Sequence, residues 1–347
     1  MSGRGGIRLA VQGVGLIGRR HAEHIAACPQ AVLHALVDPS PAAAAVAAEF
    51  GVPHYPGFED MCAAGRPDGV VIATPNQLHV AHGLDCVRAG IAALVEKPIA
   101  DDIAGATVLV ETAERAGVPL LVGHHRRYNP MIQHAKAMLD AGRIGRLVAV
   151  HGFFWLMKPD DYFNAPWRRA PGAGPVLLNL IHDIDLLRYL CGEITSVQAM
   201  AANAVRGFAV EDTAAILLRF ANGALGTVTV SDTVVAPWSW EQTTGENPIY
   251  PHTDQACYHL AGTHGALAVP KLDLWRNPVA RGWWEAFEVE RATVPPADPL
   301  QRQIAHFCAV IRGDETPLVS GREGLRSLRV IAAVQDASRS GGTVRLD

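Results

Sequence analysis

The feature that most constrains this chain is a glycine turn set between a strand-like run and a helix. Ile7–Gln12 is a short β-type stretch, it breaks at Gly13-Val14-Gly15-Leu16-Ile17-Gly18, and helical sequence follows to about Cys28. Glycines permit a turn that tight and a close backbone approach to a ligand. A helix N-terminus opening on such a turn favours a pyrophosphate. The alternation then continues. Ala31–Val37, Gly69–Ala73, Ile91–Val95 and Pro119–Gly123 read as strands, while Ala42–Phe50, Leu78–Ala89 and Ile103–Ala116 read as helices. Apolar strands interleaved with helices predict an α/β domain on a parallel, doubly wound sheet.

Asp38 ends the second strand, 20 residues after Gly18. A carboxylate there accepts both ribose hydroxyls and repels a 2′-phosphate, so NAD is favoured over NADP. Strand, glycine fingerprint, helix and acid are in the register of a Rossmann nucleotide site. Thr74-Pro75-Asn76 and Glu96-Lys97-Pro98 each close a strand on the same carboxyl edge, where ligands of open parallel sheets sit. Gly13, Gly15, Leu16, Ile17, Gly18, Asp38, Thr74, Pro75, Asn76, Glu96 and Lys97 are therefore the candidate cofactor-binding residues. Thr74–Asn76 also reads as a Pro turn with an Asn helix cap.

Past about residue 145 the texture changes. Leu147–Phe154 is strand-like, an aromatic loop rich in Pro and Gly runs from Met157 to Gly174, and a helix is predicted over Val176–Leu190. Alternating runs follow at Ser196–Val205, Thr213–Phe220, Ala224–Asp232, Cys257–Val269 and Ala286–Thr293, and the tail returns to helix at Leu300–Arg312 and Arg322–Ser340. Turn signals such as Ala221-Asn222-Gly223 mark hairpins, so the second domain is α+β on a large, mostly antiparallel open sheet. The expected division is 1–125 and 126–347, with the final helix packing back on the first domain. At 347 residues the chain has room for two cores.

Composition narrows the function. Thirty basic against 34 acidic residues argue against a nucleic-acid-coating surface, and no apolar run is long enough for a membrane span. Cys28, Cys62, Cys86, Cys191, Cys257 and Cys308 show no paired spacing and read as reduced thiols of a cytoplasmic protein. No zinc-type cluster, GxSxG elbow or Walker loop is present, so no metal is expected. Only four lysines occur, Lys97, Lys136, Lys158 and Lys271. Lys97 sits where a donor polarises a carbonyl or holds a substrate hydroxyl.

The series Gly13–Gly18, Ala73–Asn76, Glu96–Pro98, Gly123–Pro130 and His182–Leu186 resembles the motifs of the glucose–fructose oxidoreductase, inositol dehydrogenase and MocA family across nearly the whole chain. The resemblance implies NAD(P)-dependent hydride transfer on a secondary alcohol of a sugar, cyclic polyol or related small hydroxy compound. It implies a homodimer or homotetramer through the open sheet, Lys97 at the reacting oxygen, and a cis bond before Pro98. His182 is the second candidate catalytic residue, because an imidazole with an ordinary pKa near 6.5 takes a proton near neutrality.

Asn179 and His182, three apart on the predicted helix, project to one side and could meet one substrate. His125, Arg126, Tyr162 and Trp167 are further substrate-binding candidates, the last two from the aromatic loop. The family's aspartate four residues before the histidine is Leu178 here. Asn179, Asp183 or Asp185 is left to fill that role, or Lys97 works with His182 alone. Two other readings fit the same residues: transient oxidation by tightly held NAD for net hydrolysis or epimerisation, and a non-catalytic nucleotide-responsive protein.

Overall fold

The computed structural model describes residues 6–346. It forms two compact units. One runs through Tyr128 and regains Asp298–Leu328; the other is Asn129–Ala297 together with the chain from Arg329.

The first unit is a six-stranded parallel sheet of β1 (Ile7–Gln12), β2 (Ala31–Val37), β3 (His54–Tyr55), β4 (Gly69–Ile72), β5 (Ala92–Val95) and β6 (Leu120–Val122), in the order β3-β2-β1-β4-β5-β6. Helices α1 (Leu16–Ala27), α2 (Ala42–Phe50), α3 (Phe58–Ala64), α4 (His79–Arg88) and α5 (Ile103–Ala116) connect the strands. Strand β1 pairs in parallel with both β2 and β4, so the order reverses there, and that reversal opens the crevice in which nucleotides bind. All residues of β4 and β5 are buried, as the apolar runs predicted.

The pleat of β1 sends Leu9 and Val11 into one core and Ala10 into the other. The Leu9–Val11 side is completed by Ile304, Phe307, Cys308 and Val310 of the helix Pro299–Arg312. That apolar stripe is why residues 298–328 return to the first unit. Strand β3 and helix α3 were not anticipated, being two and seven residues long.

The second unit holds α6 (Pro130–Asp140), β7 (Leu147–Trp155), α7 (Pro175–Leu178), α8 (Leu180–Cys191), β8 (Ile194–Ala202), β9 (Thr213–Phe220), β10 (Leu225–Ser231), α9 (Trp240–Thr244), β11 (Tyr258–Gly262), β12 (Ala266–Val269), β13 (Asp273–Arg276) and β14 (Glu288–Arg291). After α10 (Pro299–Arg312) in the first unit come α11 (Gly321–Ser340) and β15 (Val344–Arg345). Its nine strands run β14-β13-β12-β11-β7-β10-β9-β8-β15, with β7 and β10 parallel and the other neighbours antiparallel. The pleat gives one buried face, with Val150, Phe154, Ile216, Leu218, Val228 and Leu260 in a core shared with α8.

One expected element is corrected. The continuous helix over Val176–Leu190 is two helices, α7 and α8, that meet at Asn179, where φ is −112° and ψ is −55°. The His182 N–H donates to the Asn179 carbonyl at 3.0 Å, a three-residue turn at the start of α8. Asn179 therefore stands at a junction, not three residues before His182 on one regular helix.

Candidate functional site

The glycine turn is fixed by steric need at two positions. Gly13 has φ +90°, and a Cβ there would lie 2.7 Å from the backbone of Ala73 and Thr74. A Cβ on Gly18 would collide with the Gly13 carbonyl oxygen. Gly15 instead faces open space and is the N-cap of α1 with no side-chain cap, leaving first-turn N–H groups for a ligand. Leu16 beside it is 97% exposed, and Ile17 is also exposed.

The turn forms one wall of a cleft of about 840 Å³, whose other walls include Asp38, Pro56–Asp60, Thr74, Pro75 and His82. The Asp38 carboxylate accepts the Val14 and Ser40 backbone N–H groups, each at 2.8 Å. It thus stands at the end of β2 already tied to the glycine turn. Asn76 begins a single turn of 3₁₀ helix, Asn76–Leu78, next to the lining residues Thr74 and Pro75. Cleft, uncapped helix and carboxylate are the parts a dinucleotide needs, and the residues present fit one.

Glu96 and Lys97 end β5 on the same edge, outside the residues lining that cleft. Glu96 turns its carboxylate into the unit: Oε1 meets His21 Nε2 at 2.7 Å, and Oε2 accepts the Lys97 backbone N–H at 3.1 Å. Burial alone would raise this carboxyl. The hydrogen bond and charge of His21, with the charges of His125 and Lys97, outweigh it and bring it down to about 2. A Cβ on Gly123 would press against the Glu96 carboxyl at 2.9 Å. The Lys97–Pro98 bond is cis.

The sequence reading missed His79, which is fully buried in α4. Its Nδ1 lies 2.8 Å from the Pro98 carbonyl and its Nε2 2.8 Å from the Thr74 carbonyl. It ties the loop after β4 to the loop after β5. His125 and Arg126 lie in the short turn His125–Tyr128; Arg126 is buried, and Arg127 beside it pairs with Glu323 at 2.9 Å.

In the second unit His182 is buried on the first turn of α8. Asp183 and Asp185 are buried beside it, and Asp183 accepts the hydroxyl of Tyr258. Asn179 Oδ1 accepts from Lys158 Nζ at 2.8 Å. Lys158 is another residue the sequence reading passed over. Its ammonium is 3.6 Å from Asp232 and lies 5.0 Å from the centre of the Tyr162 ring. Arg168 covers the same ring at 3.9 Å and the Trp167 ring at 5.3 Å. The structure thus joins Tyr162, Trp167 and Asn179 through Lys158 and Arg168.

Residues 7–124 match the oxidoreductase family described as NAD-binding Rossmann fold, and residues 132–268 match the GFO/IDH/MocA C-terminal domain. The rhizopine catabolism protein MocA of Rhizobium meliloti is 31% identical over 64% of this chain and 70% of its own length.

The chain belongs to the GFO/IDH/MocA family.

The scyllo-inositol 2-dehydrogenase (NAD(+)) of Bacillus subtilis is 28% identical over 98% of this chain and 96% of its own. Among solved structures, the WlbA dehydrogenase of Bordetella pertussis in complex with NADH and UDP-GlcNAcA is 27% identical, covers 99% of both chains and has a TM-score of 0.78. As a member of the GFO/IDH/MocA family, this chain is an NAD-binding oxidoreductase. No helix among the described residues is long and apolar enough to cross a membrane.

Proposed function

We propose that this oxidoreductase oxidises a secondary alcohol of a sugar or cyclic polyol, with Lys97 and His182 as its catalytic residues. The observation that carries the reading is the seating of Lys97, the one lysine of residues 1–128. Its backbone is held by Glu96, itself anchored on His21, at the carboxyl end of β5 and one strand from the β4 loop that lines the nucleotide cleft. Bound NAD supplies the hydride acceptor. Lys97 donates to the alcohol oxygen and stabilises the charge that develops there, and His182 takes the hydroxyl proton as the carbonyl forms. Asn179, Tyr162, Trp167, His125 and Arg126 are proposed to bind the rest of the substrate. The names of the inositol and UDP-sugar relatives support the substrate class.

The outer face of the nine-stranded sheet supports a homodimer or homotetramer. Its surface carries Met200 (79% exposed), Leu217 (53%) and Leu225 (54%) around a shallow groove of about 1000 Å³. Six free cysteines accord with the cytoplasm.

The test is NADH production across a panel of hexoses, inositols and hydroxy acids by the parent and by Lys97→Ala. The variant is expected to turn over about 10²–10⁴-fold more slowly. A parent rate in Lys97→Ala would overturn the assignment.

A further inference from the structure

We propose that Lys158, Asn179 and Arg168 form a subsite for a carboxylate, so that the preferred substrate is an acidic sugar or acidic polyol. This rests on the dehydrogenase reading above and narrows its substrate class. The first support is the direction of the Asn179 amide. An ammonium only donates, so the atom 2.8 Å from Lys158 Nζ is the amide oxygen, and both Asn179 Nδ2 hydrogens face away from Lys158. Where the family resemblance places a carboxylate, at Leu178, this chain has an apolar residue. The next position presents donors in its place.

The second support is the distribution of charge. Asp232 is committed to Arg206, whose Nε is 2.9 Å from Oδ1 and whose Nη2 donates to the Asp232 carbonyl at 2.6 Å. Its other oxygen stays 3.6 Å from Lys158, an ion pair beyond good hydrogen-bond length. Glu211 is spent on the backbone N–H of Val176 at the start of α7, and burial raises its carboxyl toward the neutral form. Burial likewise lowers the Lys158 ammonium, against the charge and side-chain interaction of Asp232 and the charge of Glu241.

Arg168 donates to the Tyr162 carbonyl at 2.6 Å and stacks on two rings, and no carboxylate pairs with it among the described residues. Its Nε is buried without an acceptor. Two cations and an amide N–H₂ therefore gather around Tyr162 with donor capacity left over, and Asn179 links them to the turn that starts the His182 helix. A carboxylate accepts from all three donor types and supplies the counter-charge that Arg168 lacks among the described residues.

The experiment compares matched pairs, D-glucose with D-glucuronate and D-galactose with D-galacturonate. Binding to the NADH-loaded full chain is measured by isothermal titration, and oxidation is measured with NAD. The parent is expected to bind each acid at least about tenfold more tightly than its neutral partner, the scale of one charge-assisted hydrogen bond. Arg168→Met and Lys158→Met should abolish that preference, and Lys158→Arg should restore part of it while neutral-sugar binding changes little. Equal or tighter binding of the neutral partners by the parent overturns the inference, as does a preference that survives in Arg168→Met, the variant that leaves the Lys158–Asn179 bond in place. Tighter binding of the acids with no oxidation of any pair would sink the dehydrogenase reading alone and leave the carboxylate subsite standing.

Discussion

The nucleotide cleft and the half-site proposed around His182 are built from different material. Around the cleft, backbone sets the shape: a glycine with φ +90°, a second glycine with no room for a Cβ, and an uncapped helix start. Even Asp38 is defined by the two backbone N–H groups it accepts. Around His182 the parts are side chains, Lys158, Tyr162, Arg168 and Asn179, brought from the exit of β7, the loop after it and the α7–α8 junction. A backbone-built site tolerates changes of side chain. A side-chain-built site is redirected by one substitution, so specificity belongs there.

The hardest test of that division is His182→Asn. Loss of the general base proposed at His182 is expected to lower turnover by about 10²–10⁴-fold. NADH affinity, measured by fluorescence titration, is expected to stay at the parent value, because the cleft is lined by the first unit alone. A parallel loss of NADH binding would break the comparison.

Next in size is Glu96→Gln, which probes the buried pair behind Lys97. A carboxyl held at about 2 in the folded chain, against an ordinary value near 4.3 when unfolded, contributes about 3 kcal/mol at neutral pH. The folded-state value is depressed, so this stability is present above the unfolded value and is lost as pH falls through the range from about 5 to about 2. Glu96→Gln should lower Tm at pH 7 and flatten the pH dependence of Tm across that acid window. A parent-like pH dependence would show that His21 and Glu96 do not act as a charged pair.

The same contrast explains what could be read in the sequence. The β1–turn–α1 unit is local, and Asp38 and the loops after β4 and β5 each follow the end of a buried strand on one sheet edge, so strand ends and the glycine spacing pointed to them. The alternation of β9, with Ala214, Ile216, Leu218 and Phe220 buried and the residues between them exposed, also placed its face correctly. Lys158 was illegible because its partners come from separate segments, Asn179 and Asp232. The break at Asn179 was hidden because Leu177-Leu178 and Leu180-Ile181 sustain an apolar helical pattern across it. His21 left a readable trace. It shares the buried stripe of α1 with Gly18, Ala22 and Ile25, and a histidine on such a stripe demands a buried partner.

A smaller effect is expected at Asp38. Asp38→Asn keeps an oxygen for one backbone N–H but loses the charge and one acceptor, so KM for NAD should rise about tenfold. KM for NADP should rise less or fall, because the repulsion of a 2′-phosphate is gone. Equal changes for the two cofactors would mean that Asp38 only holds the glycine turn. That outcome would make the cleft more purely a backbone site than the comparison states.

The smallest effect on the chemistry is expected from Leu217→Arg, which touches neither site. Leu217 lies mid-strand on the outer face of β9, paired with Gln198 on β8 and Thr227 on β10, and Thr227 is paired in turn with His151 on β7. Burying a leucine there contributes roughly 1.5–3 kcal/mol per copy, whereas burying an unpaired guanidinium opposes association. The parent is expected to run as a dimer or tetramer in sedimentation, and the variant as a monomer with unchanged kcat. If the variant is monomeric and inactive, the second unit needs a partner copy to keep its side-chain site in place. The backbone-built cleft of the same protomer should even then bind NADH, and that is where the two kinds of site would separate most cleanly.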